Sequence, residues 1–125
     1  MSSTPGKAPS GAQNRLRRRR YPRYRCEFPV ALTLLSGAQH LHFDAHCRDL
    51  SEAGIGVLLA AELAPGEVAK LTFTIPEIAR PWLVRAVLRH RRGFHYGFEF
   101  LSLSPDEAGA LKSYLATRDR ADFDE

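Results

Sequence analysis

The stretch Val68-Ala-Lys-Leu-Thr-Phe-Thr-Ile75 puts Leu71, Phe73 and Ile75 on one side of an extended chain. A period of two marks a half-buried strand, because successive side chains point to opposite faces of a sheet. Downstream, Trp82-Leu-Val-Arg-Ala-Val-Leu88 reads as a second strand, and Gly93 separates it from a hairpin partner, His95-Tyr-Gly-Phe-Glu-Phe-Leu101. Upstream, Phe28-Pro-Val-Ala-Leu-Thr-Leu-Leu35 is a short apolar run closed by the turn residues Ser36-Gly37-Ala38. Leu41-His-Phe-Asp-Ala-His-Cys47 alternates, Ser51 to Gly54 is turn chemistry, and Ile55-Gly-Val-Leu-Leu59 follows as a further strand. Strands so short and evenly spaced predict an all-β fold, a six-stranded antiparallel β-barrel, because closure removes the exposed sheet edges.

The period then changes. Ser104-Pro105-Asp106-Glu107 has the form of a capping box: a serine hydroxyl for an orphan N–H, proline at the first helical position, and a glutamate that reaches back. Ala108, Leu111, Tyr114 and Leu115 recur at helical spacing, so one closing α-helix is expected over 104–118. It should pack over one barrel opening or along the side. Residues 119–125 read as an acidic tail.

A chain of 125 residues with 44% hydrophobic content fits one domain with a core of its own. No apolar run approaches the roughly 18–20 residues that span a bilayer. Residues 1–14 are small and polar with prolines and glycines, a composition of disorder that also lacks the apolar segment of a signal peptide, which predicts a cytoplasmic protein without membrane insertion. Cys26 and Cys47 are expected as reduced, buried small hydrophobes; a redox pair would require neighbouring strands to set them side by side.

Charge is unevenly placed. Residues 1–25 hold eight of the eighteen basic residues (Lys7, Arg15, Arg17, Arg18, Arg19, Arg20, Arg23 and Arg25) and no acid. The other ten basic residues and all fourteen acidic ones lie in 26–125, which leaves the body formally at −4. An anionic partner should meet the leader at 15–25, not the body at large. Pro22 argues against one continuous helix there. Tyr21 and Tyr24 could stack on bases or anchor this arm.

Two motifs stand together at strand boundaries. Arg19-Arg20-Tyr21-Pro22-Arg23 is an R-x-x-x-R pattern before the first strand, and Asp49-Leu50-Ser51-Glu52-Ala53-Gly54 is a D-x-S-x-x-G pattern between the second and third. Their order and placement, with Tyr96-Gly97-Phe98-Glu99-Phe100 before a helix, resemble the PilZ domain family over about residues 15–118. The resemblance implies a 15–25 arm, a 26–101 barrel and the 104–118 helix. It also implies a receptor for the second messenger cyclic di-GMP that performs no catalysis, needs no cofactor and signals to an unknown downstream protein. The arginines at Arg19 and Arg23 would grip phosphate and guanine from a flexible arm, joined by Arg20. Asp49 and Ser51 would contact a guanine from the barrel surface, and Gly54 would shape the turn. An arginine just before the motif, here Arg18, is associated in the family with an intercalated ligand pair, which implies two stacked ligands per chain. The family also uses the strand ending near His90 for accessory contacts, so His90 joins the candidates beside Arg89, Arg91 and Arg92, where a solvated turn is an equal alternative.

The chemistry supports these residue types by itself. Two phosphates call for fixed positive charge, and an arginine fork makes bidentate contacts that lysine cannot. Guanine offers O6 and N7 as acceptors on one edge, which suit arginine, and N–H donors on the other, which suit a carboxylate such as Asp49. His40, His42 and His46 share one strand face, but residues four apart on a strand are spread by about 13 Å, so a metal site is not expected. There is no G-x-S-x-G, Walker loop or H-E-x-x-H. Two rivals use the same features: a nucleic-acid binder that needs only the basic arm, and a PilZ-like adaptor acting through protein contacts without nucleotide.

Overall fold

A computed structural model describes residues 21–36, 39–78 and 80–119. The strands are β1 Tyr24–Arg25, β2 Pro29–Ser36, β3 Gln39–Leu50, β4 Gly54–Leu58, β5 Val68–Ile75, β6 Arg80–Arg92 and β7 His95–Phe100, followed by helix α1 Pro105–Leu115. All pairings are antiparallel, in the order β3-β2-β5-β6-β7-β4, and β4 returns to pair with β3. That return closes a six-stranded barrel, as the strand spacing predicts. The short β1 is an addition: Tyr24 and Arg25 pair with Leu50 and Asp49 on β3, so the end of the basic leader is already part of the sheet.

The alternation in β5 is observed as read, with Ala69, Leu71, Phe73 and Ile75 buried inside the barrel. Phe28, Phe73 and Trp82 stack in series, with ring centroids 5.4 and 6.2 Å apart. Both cysteines are buried and free, and burial pushes their thiols up, which suits the small hydrophobe reading. Tyr96 crosses to the β4–β5 connection, donating to the Ala61 carbonyl and accepting from the Leu63 N–H.

The helix begins as its sequence dictates. The Glu107 N–H donates to Ser104 Oγ at 3.1 Å, and the Ser104 N–H donates to Glu107 Oε1 at 2.9 Å. Its regular part ends at Leu115, and tighter turns carry the chain to Arg118. Leu111, Tyr114 and Leu115 are buried. The far end of α1 lies against the root of the leader: the Arg25 N–H donates to the Asp119 carbonyl at 2.9 Å, and Arg118 pairs with Glu77 at 3.5 Å. Among the described residues, no helix is long and apolar enough to cross a membrane, and no group of three or more histidine, cysteine or acidic residues could hold a metal ion.

Candidate functional site

Strand alternation alone would not bring the candidate residues together. Asp49 follows Cys47 by two, and Cys47 points into the core. A regular strand would send Asp49 inward as well. Instead a bulge at Arg48 inserts one residue into β3: Cys47 faces Val57, but Asp49 faces Gly56. The same device recurs on β6. Leu88 points inward opposite Phe98, a bulge at Arg89 follows, and His90 faces Gly97. Bulges commonly re-aim one side chain in this way. Because Gly56 and Gly97 also face each other across β4 and β7, Asp49, Gly56, Gly97 and His90 form a single row across four strands on the outside of the barrel.

The two central glycines make a trough that their neighbours fill. A Cβ on Gly56 would lie 2.7 and 2.8 Å from the Asp49 carboxylate oxygens and 2.8 Å from His95 Nε2. A Cβ on Gly97 would lie 2.2 Å from His90 Nε2. The rings of His90 and His95 stack over this trough with centroids 6.5 Å apart and planes 17° from parallel.

Asp49 is the centre of the charge arrangement. Its side chain is only 1% exposed, yet both oxygens are engaged: Arg23 Nη1 donates to Oδ1 at 2.9 Å, and His95 Nε2 lies 3.2 Å from Oδ2. Burial pushes this carboxyl up, but the His95 hydrogen bond and the Arg23 guanidinium outweigh burial and hold it below its usual range. Asp49 is therefore an anion at neutral pH, capped by one group from the leader and one from β7.

The turn after Asp49 is organised by Ser51. Its Oγ accepts from the N–H groups of Ala53 and Gly54, each at 3.1 Å, and its own N–H donates to the Gly54 carbonyl at 2.9 Å. Gly54 is required by space. A Cβ there would come within 2.2 Å of the Phe98 carbonyl oxygen on β7, so no side chain can be accommodated without moving backbone.

The structure thus gathers Arg23, Asp49, Ser51, Gly54 and His90 around one corner and one trough. Arg18, Arg19 and Arg20 lie outside the described residues. Arg89 pairs with Glu99 at 2.6 Å and Arg91 with Glu62 at 3.3 Å, which ties both to neighbouring acids beside the trough. His40 and His46 are exposed on β3, and His42 meets Thr33 at 3.0 Å. His95 escaped the sequence reading. The available signal was the hairpin: counting outward from the Gly93 turn in regular register pairs Arg92 with His95, Arg91 with Tyr96 and His90 with Gly97.

Comparison with known proteins follows this geometry. A family model described as PilZ domain matches residues 17–117. Among solved structures, the PilZ domain with c-di-GMP of YcgR from Escherichia coli is similar at 22% identity and a TM-score of 0.63, covering 81% of this chain and 91% of that one. The PilZ domain of CeSA from a cellulose-synthesising bacterium is similar at 14% identity and a TM-score of 0.58, with coverage of 75% and 94%. The Bacillus subtilis inhibitor of motility MotI/DgrA is similar at 21% identity and a TM-score of 0.61, and the matched region covers 78% of this chain but only 49% of that protein. At these identities the structural likenesses establish the fold. No curated protein matches the chain in sequence.

Proposed function

The chain belongs to the PilZ domain family, whose members are non-catalytic cyclic di-GMP receptors, and from that premise we propose that this protein binds cyclic di-GMP at the Asp49 corner and signals by ordering its arginine leader. The observation that carries the proposal is the 2.9 Å pairing of Arg23, on the leader, with Asp49, on the barrel. Arg23, the second arginine of the first motif, thus already touches the aspartate of the second.

Arg23 now holds one of the two oxygens that a guanine N–H edge would use. A guanidinium presents parallel N–H donors much as that edge does, so guanine can replace it on Asp49. Arg23 is 35% exposed and free to swing toward a phosphate, where Arg19 and Arg20 would join it. Arg18 would stack in a second, intercalated ligand. Ser51 and Gly54 keep the corner in register, and His90 contributes from the far end of the trough. Mutual repulsion among the arginines ahead of the β1 anchor opposes closure of the leader until the dianion neutralises it, and the closed arm then offers a surface to a downstream protein.

The test is calorimetric titration with cyclic di-GMP, with GTP and a short DNA duplex as controls. The expected result is saturable binding of two ligands per chain, lost by about 10- to 100-fold in Arg23→Ala and in Asp49→Ala, the equivalent of one charge-assisted contact of roughly 1.5–3 kcal/mol. Saturation at one ligand removes the stacked pair. Tight DNA binding that persists in Asp49→Ala, without cyclic di-GMP binding, overturns the receptor reading.

A further inference from the structure

We infer that His95 is a positioning residue of this site: its ring nitrogen holds the Asp49 carboxylate from the side opposite Arg23, so that the carboxylate keeps its aim when a guanine takes the place of Arg23. The inference rests on the receptor reading above and assigns a role to a residue outside both motifs.

Three observations carry it. His95 Nε2 lies 3.2 Å from Asp49 Oδ2, the oxygen that Arg23 does not hold, so His95 fixes the carboxylate from the side opposite Arg23. The ring sits over Gly56, where any Cβ would strike it, so the backbone leaves a space that the imidazole occupies. Its position beside a second imidazole, His90, completes a polar wall along the trough where an anion would lie.

The groups facing His95 come from every neighbouring element. They are Asp49 from β3, Arg23 from the leader, and His90 with Arg92, the directly opposed residue, from β6. Leu58 opposes it on β4 and is apolar. Further along β7, Glu99 is engaged by Arg89. Among the described residues, Asp49 is the carboxylate in contact with the ring, and it is shared with Arg23. When a guanine displaces Arg23, that sharing ends, and the ring is the contact that still holds the carboxylate.

The experiment is calorimetry with cyclic di-GMP on wild type, His95→Gln and His95→Ala, with thermal unfolding of each variant without ligand. His95→Ala should bind about 10-fold or more weakly than wild type. His95→Gln keeps a side-chain amide that can donate to Asp49, so it should recover part of that loss. A His95→Ala variant that binds like wild type, or a His95→Gln variant that binds no more tightly than His95→Ala, overturns the inference and leaves the receptor reading intact. Absence of binding by wild type overturns both.

Discussion

Gly56→Ala isolates the site from the fold. The new Cβ would project outward from β4 and meet three atoms at 2.7–2.8 Å: both Asp49 carboxylate oxygens and His95 Nε2. All three belong to side-chain ends, which can rotate away, and the strand pairings of Gly56 with Asp49 and Gly97 involve backbone that the methyl group does not touch. The stability cost should therefore be about 1 kcal/mol or less, within the ordinary range for one substitution. Binding should suffer more, because the two caps on Asp49 cannot both be kept once the carboxylate tilts. Loss of one charge-assisted hydrogen bond is worth roughly 1.5–3 kcal/mol, or about 10- to 100-fold in Kd. The assay is paired: thermal unfolding followed by the fluorescence of Trp82, the single tryptophan, and calorimetric titration with cyclic di-GMP. A variant that binds like wild type would refute the argument that the Gly56 trough exists to hold the Asp49–His95 pair.

Two further outcomes follow from the same geometry. Gly54→Ala drives a methyl group to 2.2 Å from the Phe98 carbonyl, a backbone atom that cannot rotate aside; overpacking of about 1–3 kcal/mol should lower Tm by roughly 5–10 °C, measured by thermal denaturation without ligand. The His95 and Arg23 contacts hold the Asp49 carboxyl below the ordinary carboxylate range in the folded state, so its contribution to stability is present above that range and disappears as acid protonates the folded carboxyl; acid unfolding curves should show Asp49→Asn less sensitive than wild type below about pH 4.

The barrel could be read from the sequence because its evidence is local. Alternation in Val68–Ile75, the turn residues at 51–54 and the capping box at Ser104 each act over a few residues, and each is found where the pattern puts it. The motif residues were legible for the same reason: Ser51 and Gly54 serve one tight turn, and Asp49 stands two residues before it. The trough was not legible. It depends on which residues of four strands fall opposite one another, and on two inserted residues, Arg48 and Arg89, that invert the inside–outside parity of their strands. Simple alternation from Cys47 would bury Asp49, and alternation from Leu88 would bury His90. The sequence places Arg25 on the arm because no period can be seen in two residues; its pairing with Asp49 is supplied by the partner strand.

The clamp on Arg25 gives the leader a fixed pivot. Its backbone is held on one side by β3 and on the other by the Asp119 carbonyl just beyond the helix. Any movement of Arg23 then turns about a point shared by the barrel wall and the end of α1. Under the proposed receptor function, a partner that grips the helix end would stiffen that pivot and change how readily the leader closes, without approaching the nucleotide. The same joint would let news of an occupied corner reach the opposite terminus of the domain through one hydrogen bond.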